Sequence, residues 1–209
     1  MTEEYEYLQN GLIRQVNYKK IEYNYDYSEK YNNYKEKGAQ LSYLRLGILL
    51  GNLGFTPEKI LDVGYGNGDF LRASKTADIK DCCGYDLSTY PVPEDCTKVD
   101  SMYTEKYDVV TFFDSLEHFD DIYDIKNITT DYVFISVPHC HNYSKEWFMN
   151  WYHRRPNEHL WHFNEKSIVL FFKEIGYELI YMSNFEDTIR KNKIVYPDKN
   201  ILSCIFKKI

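Results

Sequence analysis

Apolar and polar positions follow two alternating rhythms along this chain of 209 residues. From Gly38 to Gly54 the stretch AQLSYLRLGILLGNLG places Leu41, Leu44, Ile48 and Leu49 near helical spacing, and a glycine follows to stop the helix. Thr56-Pro57-Glu58 then leads into a short apolar strand at Lys59–Val63, a glycine loop, and a helix-like segment at Asp69–Lys75. Further apolar runs predict strands at Cys82–Asp86, Tyr107–Phe113, Tyr132–Val137, Tyr177–Met182 and Ile201–Phe206, with a helix at Ser167–Ile175 before Gly176. Strands alternating with helices define an α/β protein, in which a mainly parallel sheet is covered on both faces.

Two stretches break the rhythm. The first 37 residues hold eight tyrosines among charges and asparagines (EYNYDYSEKYNNYKEK), with neither helical nor alternating spacing, and read as an arm or lid. Residues 138–164, rich in His, Trp and Arg, read as an insertion over the sheet's working edge. The organisation expected is a Tyr-rich arm and helix over 1–54 and a core over 55–209, within one structural domain.

Composition narrows the function. With 25 Lys and Arg against 32 Asp and Glu, the formal charge is −7. Such a chain has no global field for gathering nucleic acid or anionic membrane. No apolar run approaches the roughly 20 residues of a membrane span, and MTEEYEYLQN lacks the parts of a signal peptide, so a cytoplasmic location is expected. Five cysteines without a CxxC pair indicate neither a disulfide framework nor a zinc ribbon.

The strongest signal is Ile60-Leu61-Asp62-Val63-Gly64-Tyr65-Gly66-Asn67-Gly68-Asp69: a buried strand ending near an acid, three alternating glycines, then a helix start. Glycines let a backbone turn sharply and approach a ligand at the carboxyl end of a strand, where α/β sheets bind. A dinucleotide fingerprint would need its third glycine where Asp69 stands, and that anion argues against a pyrophosphate and NAD.

These residues resemble the first motif of the class I S-adenosylmethionine-dependent methyltransferases. The likeness continues through Gly84-Tyr85-Asp86-Leu87-Ser88, Asp100-Ser101-Met102, and Asp108 to His118 with its Leu-Glu-His ending. It extends to Ser136-Val137-Pro138-His139 and Glu158-His159-Leu160-Trp161-His162-Phe163. Together they are similar to the small-molecule branch, the ubiquinone- and menaquinone-biosynthesis-like types. The resemblance implies a Rossmann-like class I methyltransferase fold with a seven-stranded, mostly parallel sheet and a final antiparallel strand. It implies S-adenosylmethionine as cofactor, S-adenosylhomocysteine as product, and a cofactor site made by Asp62, Gly64, Tyr65, Gly66, Gly68, Asp86, Leu87, Asp100, Ser101, Met102, Phe113 and Asp114. The chemistry agrees: the cofactor's sulfonium and ammonium favour acids, and its ribose diol suits a carboxylate acceptor such as Asp86.

A hydroxyl acceptor needs a group to take its proton, and five of the six histidines fall in the insertion. His139 is the first candidate base because it follows a strand's carboxyl end, with His118 and His153 behind it. Trp151, Arg154, Arg155, His159 and His162 are candidate contacts to the acceptor, with the arginine pair suited to an anionic group. No metal ligands are assigned; His139-Cys140-His141 alone is a weak pattern. The expected activity is methyl transfer to a small polar acceptor, a hydroxyl of a sugar or sugar-nucleotide-like metabolite. The alternatives are N-methylation of an amine, protein or nucleic acid, and a non-catalytic cofactor-binding regulator. DNA amino-methylation is disfavoured because Phe113-Asp114-Ser115-Leu116 stands where a DPPY-type motif would be. A homodimer is compatible with this reading.

Overall fold

The computed structural model describes residues 4–21, 35–190 and 199–209. The tyrosine-rich stretch expected to form a lid lies mostly at 22–34, outside the described residues. Strands β3 (Lys59–Val63), β4 (Asp81–Tyr85), β5 (Thr97–Lys98), β6 (Lys106–Phe113), β7 (Thr129–Pro138), β9 (Tyr177–Ser183) and β10 (Ile201–Lys208) form one seven-stranded sheet in the order β5-β4-β3-β6-β7-β10-β9. Its pairings are parallel except those of β10, which runs antiparallel to both β7 and β9. The sheet order reverses between β3 and β6, which creates a crevice at their carboxyl ends.

Successive residues of the central strands face opposite sides, and both sides are apolar. Leu61, Val110, Phe112 and Ile135 pack on one face beneath α4 (Glu165–Glu174), whose Phe172 stacks on Phe206 at 3.9 Å. Ile60, Val109, Phe113 and Phe134 pack on the other against α1 (Lys35–Leu53) and α2 (Asp69–Lys75). Asn164 caps α4 in a reciprocal box with Ser167, and Gly176 at φ 90° turns the chain into β9.

The inward face of α1 differs from the expected leucine stripe. Leu41, Ser42, Arg45, Leu46 and Leu49 are buried, while Leu44 and Ile48 are half-buried. The helix is rotated because Arg45 is drawn inward: its Nε and Nη2 donate to Glu186 at 2.7 and 3.0 Å, and its guanidinium lies 4.0 Å above the Phe113 ring. Glu186 also accepts from Arg190 of the short helix α5 (Asp187–Arg190), which in turn donates to Asp114. Burial opposes ionisation of Glu186, and the two guanidiniums overcome it, holding its carboxyl below the ordinary value.

A three-stranded antiparallel sheet lies beyond the main one, in the order β1-β2-β8: β1 (Tyr5–Tyr7), β2 (Ile13–Gln15) and β8 (Trp161–His162). The N-terminal segment read as patternless therefore supplies two strands, of which β2 pairs with β8 of the insertion and β1 with β2. Strands of three residues are too short to show alternation in the sequence. Ile13, Cys140 and Phe148 form a small core with Tyr5, Trp147 and Trp151 around it; Phe148 belongs to α3 (Lys145–Asn150). Among the described residues no helix is long and apolar enough to cross a membrane.

His162 sits in that small core, 2% exposed, with Tyr5, Phe148 and Trp151 within ring contact and, among the described residues, no hydrogen-bond partner for Nε2. Burial, aided by the Arg154 charge, pushes its pKa down to about 3 from the usual 6.5. The unfolded chain binds a proton below 6.5 that the folded chain refuses, so stability falls as pH drops from 6.5 toward 3, by up to ~1.4 kcal/mol per pH unit. His162→Phe is expected to flatten this dependence, giving a smaller drop in Tm between about pH 7.5 and about pH 5 than the wild type shows by thermal denaturation.

Candidate active site

The loop after β3 is shaped by its neighbours. Gly64 has φ 78°, donates its N–H to the Tyr85 carbonyl at 2.7 Å, and lies so close to Ser115 that an added Cβ would sit 2.6 Å from the serine Cβ. Gly66 has φ 51°, donates to Asp86 Oδ2 at 2.9 Å, and faces open space, where an added Cβ would meet nothing within 4 Å. Asp86, at the exit of β4, also accepts the Ser88 N–H on Oδ1 at 2.7 Å. One carboxylate thus holds both the glycine loop and its own turn, and each oxygen retains capacity to accept from a ligand. Leu87 beside it is 69% exposed, an apolar side chain offered at the rim of the crevice.

The other residues expected at the cofactor differ in burial and in partners. Asp62 is buried and accepts the Thr111 hydroxyl at 2.7 Å; burial pushes its pKa to about 6. The Tyr65 ring packs over Gly84 and its hydroxyl donates to the Tyr90 carbonyl at 2.5 Å, so only its backbone belongs to the loop. Phe113 is a core residue, edge-on to Phe70 and Phe134 at 4.8 and 5.1 Å. Asp114, at φ 53°, is engaged by Arg190 and Arg45. Burial opposes its ionisation, but the two guanidiniums prevail and hold its pKa at about 2. Asp100 is exposed, Ser101 half-buried with Oγ accepting the Tyr103 N–H at 3.2 Å, and Met102 buried. Gly68 N–H closes the loop onto the Tyr65 carbonyl at 2.8 Å and precedes α2.

The histidines divide into separate environments. His139 is 2% exposed, with Nδ1 3.2 Å from Asn184 Nδ2. That amide also donates to the Ile201 carbonyl at 2.5 Å, so it is a donor toward His139 as well. The His139 proton then resides on Nε2, which faces Glu165 at 3.9 Å. In this arrangement the acceptor nitrogen of the first candidate base is taken by the Asn184 amide. His153 Nε2 lies 2.6 Å from Asn200 Oδ1, and its carbonyl accepts from His159 Nδ1 at 2.7 Å. The adjacent arginines diverge: Arg154 reaches Tyr5, donating to its hydroxyl at 3.2 Å, while Arg155 pairs with Glu158 at 3.3 Å. Trp151 stacks on Trp147 at 5.5 Å, and His162 is sealed in the small core.

His118 and His159 do come together. They lie edge to face at 4.9 Å, and with Glu117 they form a group whose ligand atoms are all within 4.8 Å of one another. Glu117 and His118 belong to the 3-10 turn Leu116–His118 directly after β6, and the Glu117 carbonyl accepts the Leu160 N–H at 2.8 Å. Burial, reinforced by the Asp114 charge, pushes the Glu117 carboxyl well above its ordinary range, and burial pushes His118 and His159 downward. Glu117 was not assigned a role from sequence, although it is the central letter of the Leu-Glu-His motif. Arg45, Glu186 and Arg190 had no sequence signal, because their pairing joins positions 141 residues apart.

Residues 34–182 match the family model described as a methyltransferase domain. Solved structures agree in fold. Magnesium protoporphyrin IX methyltransferase from Synechocystis PCC 6803, with S-adenosylhomocysteine bound, is 15% identical with TM-score 0.58, covering 82% of this chain and 84% of that one. A SAM-dependent methyltransferase from Archaeoglobus fulgidus is 18% identical with TM-score 0.58, over 81% of this chain and 94% of that one. An S-adenosylmethionine-dependent methyltransferase from Mesorhizobium loti is 12% identical with TM-score 0.53, over 72% and 90%. No curated protein matches the chain. The match over most of the sequence shows that the chain belongs to the methyltransferase domain family, and its cofactor is S-adenosylmethionine.

The site fits that cofactor. Gly66 opens onto free space beside the Asp86 carboxylate, and Leu87 gives an apolar surface next to it. Asp86 and Leu87 would hold the ribose diol and the adenine, and the bound cofactor supplies a methyl group activated on sulfur. Asp86→Asn exchanges a charge-assisted acceptor for a neutral amide at both loop and ligand. It is expected to weaken S-adenosylmethionine binding ~10–100-fold by calorimetry and to lower Tm as well, because one of the two backbone N–H donors then faces an amide NH2.

Proposed function

We propose that this enzyme transfers the methyl group to a hydroxyl of a small polar acceptor, a sugar or sugar-nucleotide-like metabolite. One observation carries the reading: Glu117 and His118, which His159 joins from the segment before β8, stand in the same loop as Ser115, which packs against Gly64 of the cofactor loop. Proton-accepting groups thus occur beside the segment that borders the methyl donor. A hydroxyl is a poor nucleophile near neutral pH, and such equipment is what its methylation requires.

His118 replaces His139 as the base in this reading. Its Nδ1 lies 2.7 Å from the Glu158 carbonyl, which requires the proton on Nδ1 and makes Nε2 the acceptor nitrogen. Arg155, 41% exposed in its side chain beside Glu158, is the candidate contact for an anionic part of the acceptor. The fold does not choose the acceptor, since one scaffold hosts many.

The acceptor class is checked by incubating enzyme and S-adenosylmethionine with a panel of sugars, sugar nucleotides, hydroxy acids and amines, and locating the methyl group by mass spectrometry. Methyl ethers from the hydroxylated members are expected. His118→Ala is expected to lower kcat ~10²–10⁴-fold with cofactor affinity retained, and His139→Ala to leave turnover far less affected. Methylation confined to amines would overturn the reading.

A further inference from the structure

Glu117 is 1% exposed, and among the described residues neither of its carboxylate oxygens has a hydrogen-bond partner. A carboxyl sequestered from water without a donor is costly, and folded proteins avoid it unless something occupies the place a donor would take. What stands nearest to it is a pair of imidazoles. His118 and His159 each bring a ligand nitrogen into a cluster in which every ligand atom lies within 4.8 Å of the others.

Both imidazoles are oriented from behind. His118 Nδ1 is 2.7 Å from the Glu158 carbonyl, and His159 Nδ1 is 2.7 Å from the His153 carbonyl. A backbone carbonyl on Nδ1 fixes the tautomer and turns the Nε2 lone pair toward the opposite side, the support that metal-bound histidines characteristically receive. The rings meet at 85°, so they are not stacked, and their nitrogens can converge on one point. The frame is braced as well. Leu160 N–H donates to the Glu117 carbonyl at 2.8 Å, which joins the two ligand-bearing segments, and His159 N–H donates to the Arg155 carbonyl at 2.9 Å, which fixes the turn that carries His159.

We propose that Glu117, His118 and His159 bind one divalent first-row transition-metal ion through two imidazole nitrogens and one carboxylate, leaving its other positions open to the hydroxyl of the methyl acceptor. Two nitrogens and one oxygen suit zinc, cobalt, nickel, iron or manganese better than the all-oxygen preferences of calcium or magnesium. The carboxylate then has the cation its buried oxygens lack. The metal site itself stands on the geometry of the three side chains, and only its assignment to acceptor activation rests on the proposed function.

In that assignment His118 Nε2 is a ligand rather than the proton acceptor, and the ion takes over the base's part: the acceptor hydroxyl sits at an open position of the ion, where its O–H bond is weakened and the proton passes to water. The oxygen forms a bond to the methyl carbon while the C–S bond breaks with its electron pair moving to sulfur. The products are a methyl ether, a neutral thioether and one proton.

The experiment uses the whole purified chain, stripped with a chelator and dialysed, then titrated with cobalt(II) or zinc(II) by calorimetry, with the visible absorption of cobalt(II) as a second readout. One equivalent per chain is expected, together with the ligand-field bands of a nitrogen-containing site. Glu117→Gln, which keeps shape and removes the charge, and His159→Gln are each expected to weaken metal binding at least ~100-fold. S-adenosylmethionine affinity, measured on the same samples, is expected to stay within about twofold and so reports that the variants fold. Absence of stoichiometric uptake by the wild type, or uptake undiminished in both variants, would overturn the site. The reading is separable from the acceptor class, because uptake is measured with no acceptor present. Metal uptake with methylation of amines alone sinks the hydroxyl assignment and keeps the site, whereas methyl ether formation by chelated protein that takes up no metal does the reverse.

Discussion

The exits of β3 and β6 approach each other more closely than any two side chains would allow, and much else follows from that contact. Gly64 and Ser115 face each other across a gap that a second Cβ would reduce to 2.6 Å, and Ser115 Oγ donates to the Val63 carbonyl at 2.7 Å. This contact fixes where the glycine loop turns. It also fixes where the chain leaves β6 and enters the turn bearing Glu117 and His118. The glycine loop and the turn bearing Glu117 and His118 are therefore positioned by one joint, and methyl transfer is an in-line reaction that depends on such positioning.

Charge reinforces the joint from behind. Asp114 is the residue just before Ser115, and Arg190 and Arg45 hold it together with Glu186. The network ties α1, α5 and the end of β6 into one block, and Asp187 adds to it by accepting the N–H groups of Asn200 and Ile201 at 2.9 and 3.0 Å. Buried ion pairs contribute little net stability, since desolvation offsets attraction. Their effect here is geometric: the acids and arginines satisfy one another in a single arrangement, which holds an αL turn at a non-glycine residue.

The main sheet was legible in the sequence because each of its longer strands is an apolar run wide enough to read. Lys59–Val63 and Asp69–Lys75 have the bounds expected, and the other long elements differ only at their ends. The glycine loop and Asp86 were readable because their chemistry is local: three glycines, then an acid at the next strand's exit. What escaped is what depends on distance. The two short N-terminal strands show themselves only when paired with β8, and the rotation of α1 needs Glu186, far along the chain. Sequence position ranks His139 before His118 and His153, but whether an imidazole has an acceptor nitrogen depends on Asn184 in one case and a backbone carbonyl in another.

The small sheet has a consequence for how such an enzyme changes over time. Its strands come from both ends of the main body: β1 and β2 from residues before α1, and β8 from after β7, with Gln15 accepting the Asn157 N–H at 2.8 Å and Asn157 Oδ1 accepting the Lys19 N–H at 3.0 Å. A genetic exchange confined to residues 139–164 would bring in a new strand with the old partner still waiting for it. Variation in this wall therefore has to be inherited as a matched pair of distant segments, and a substitution on one side takes its effect from what stands on the other.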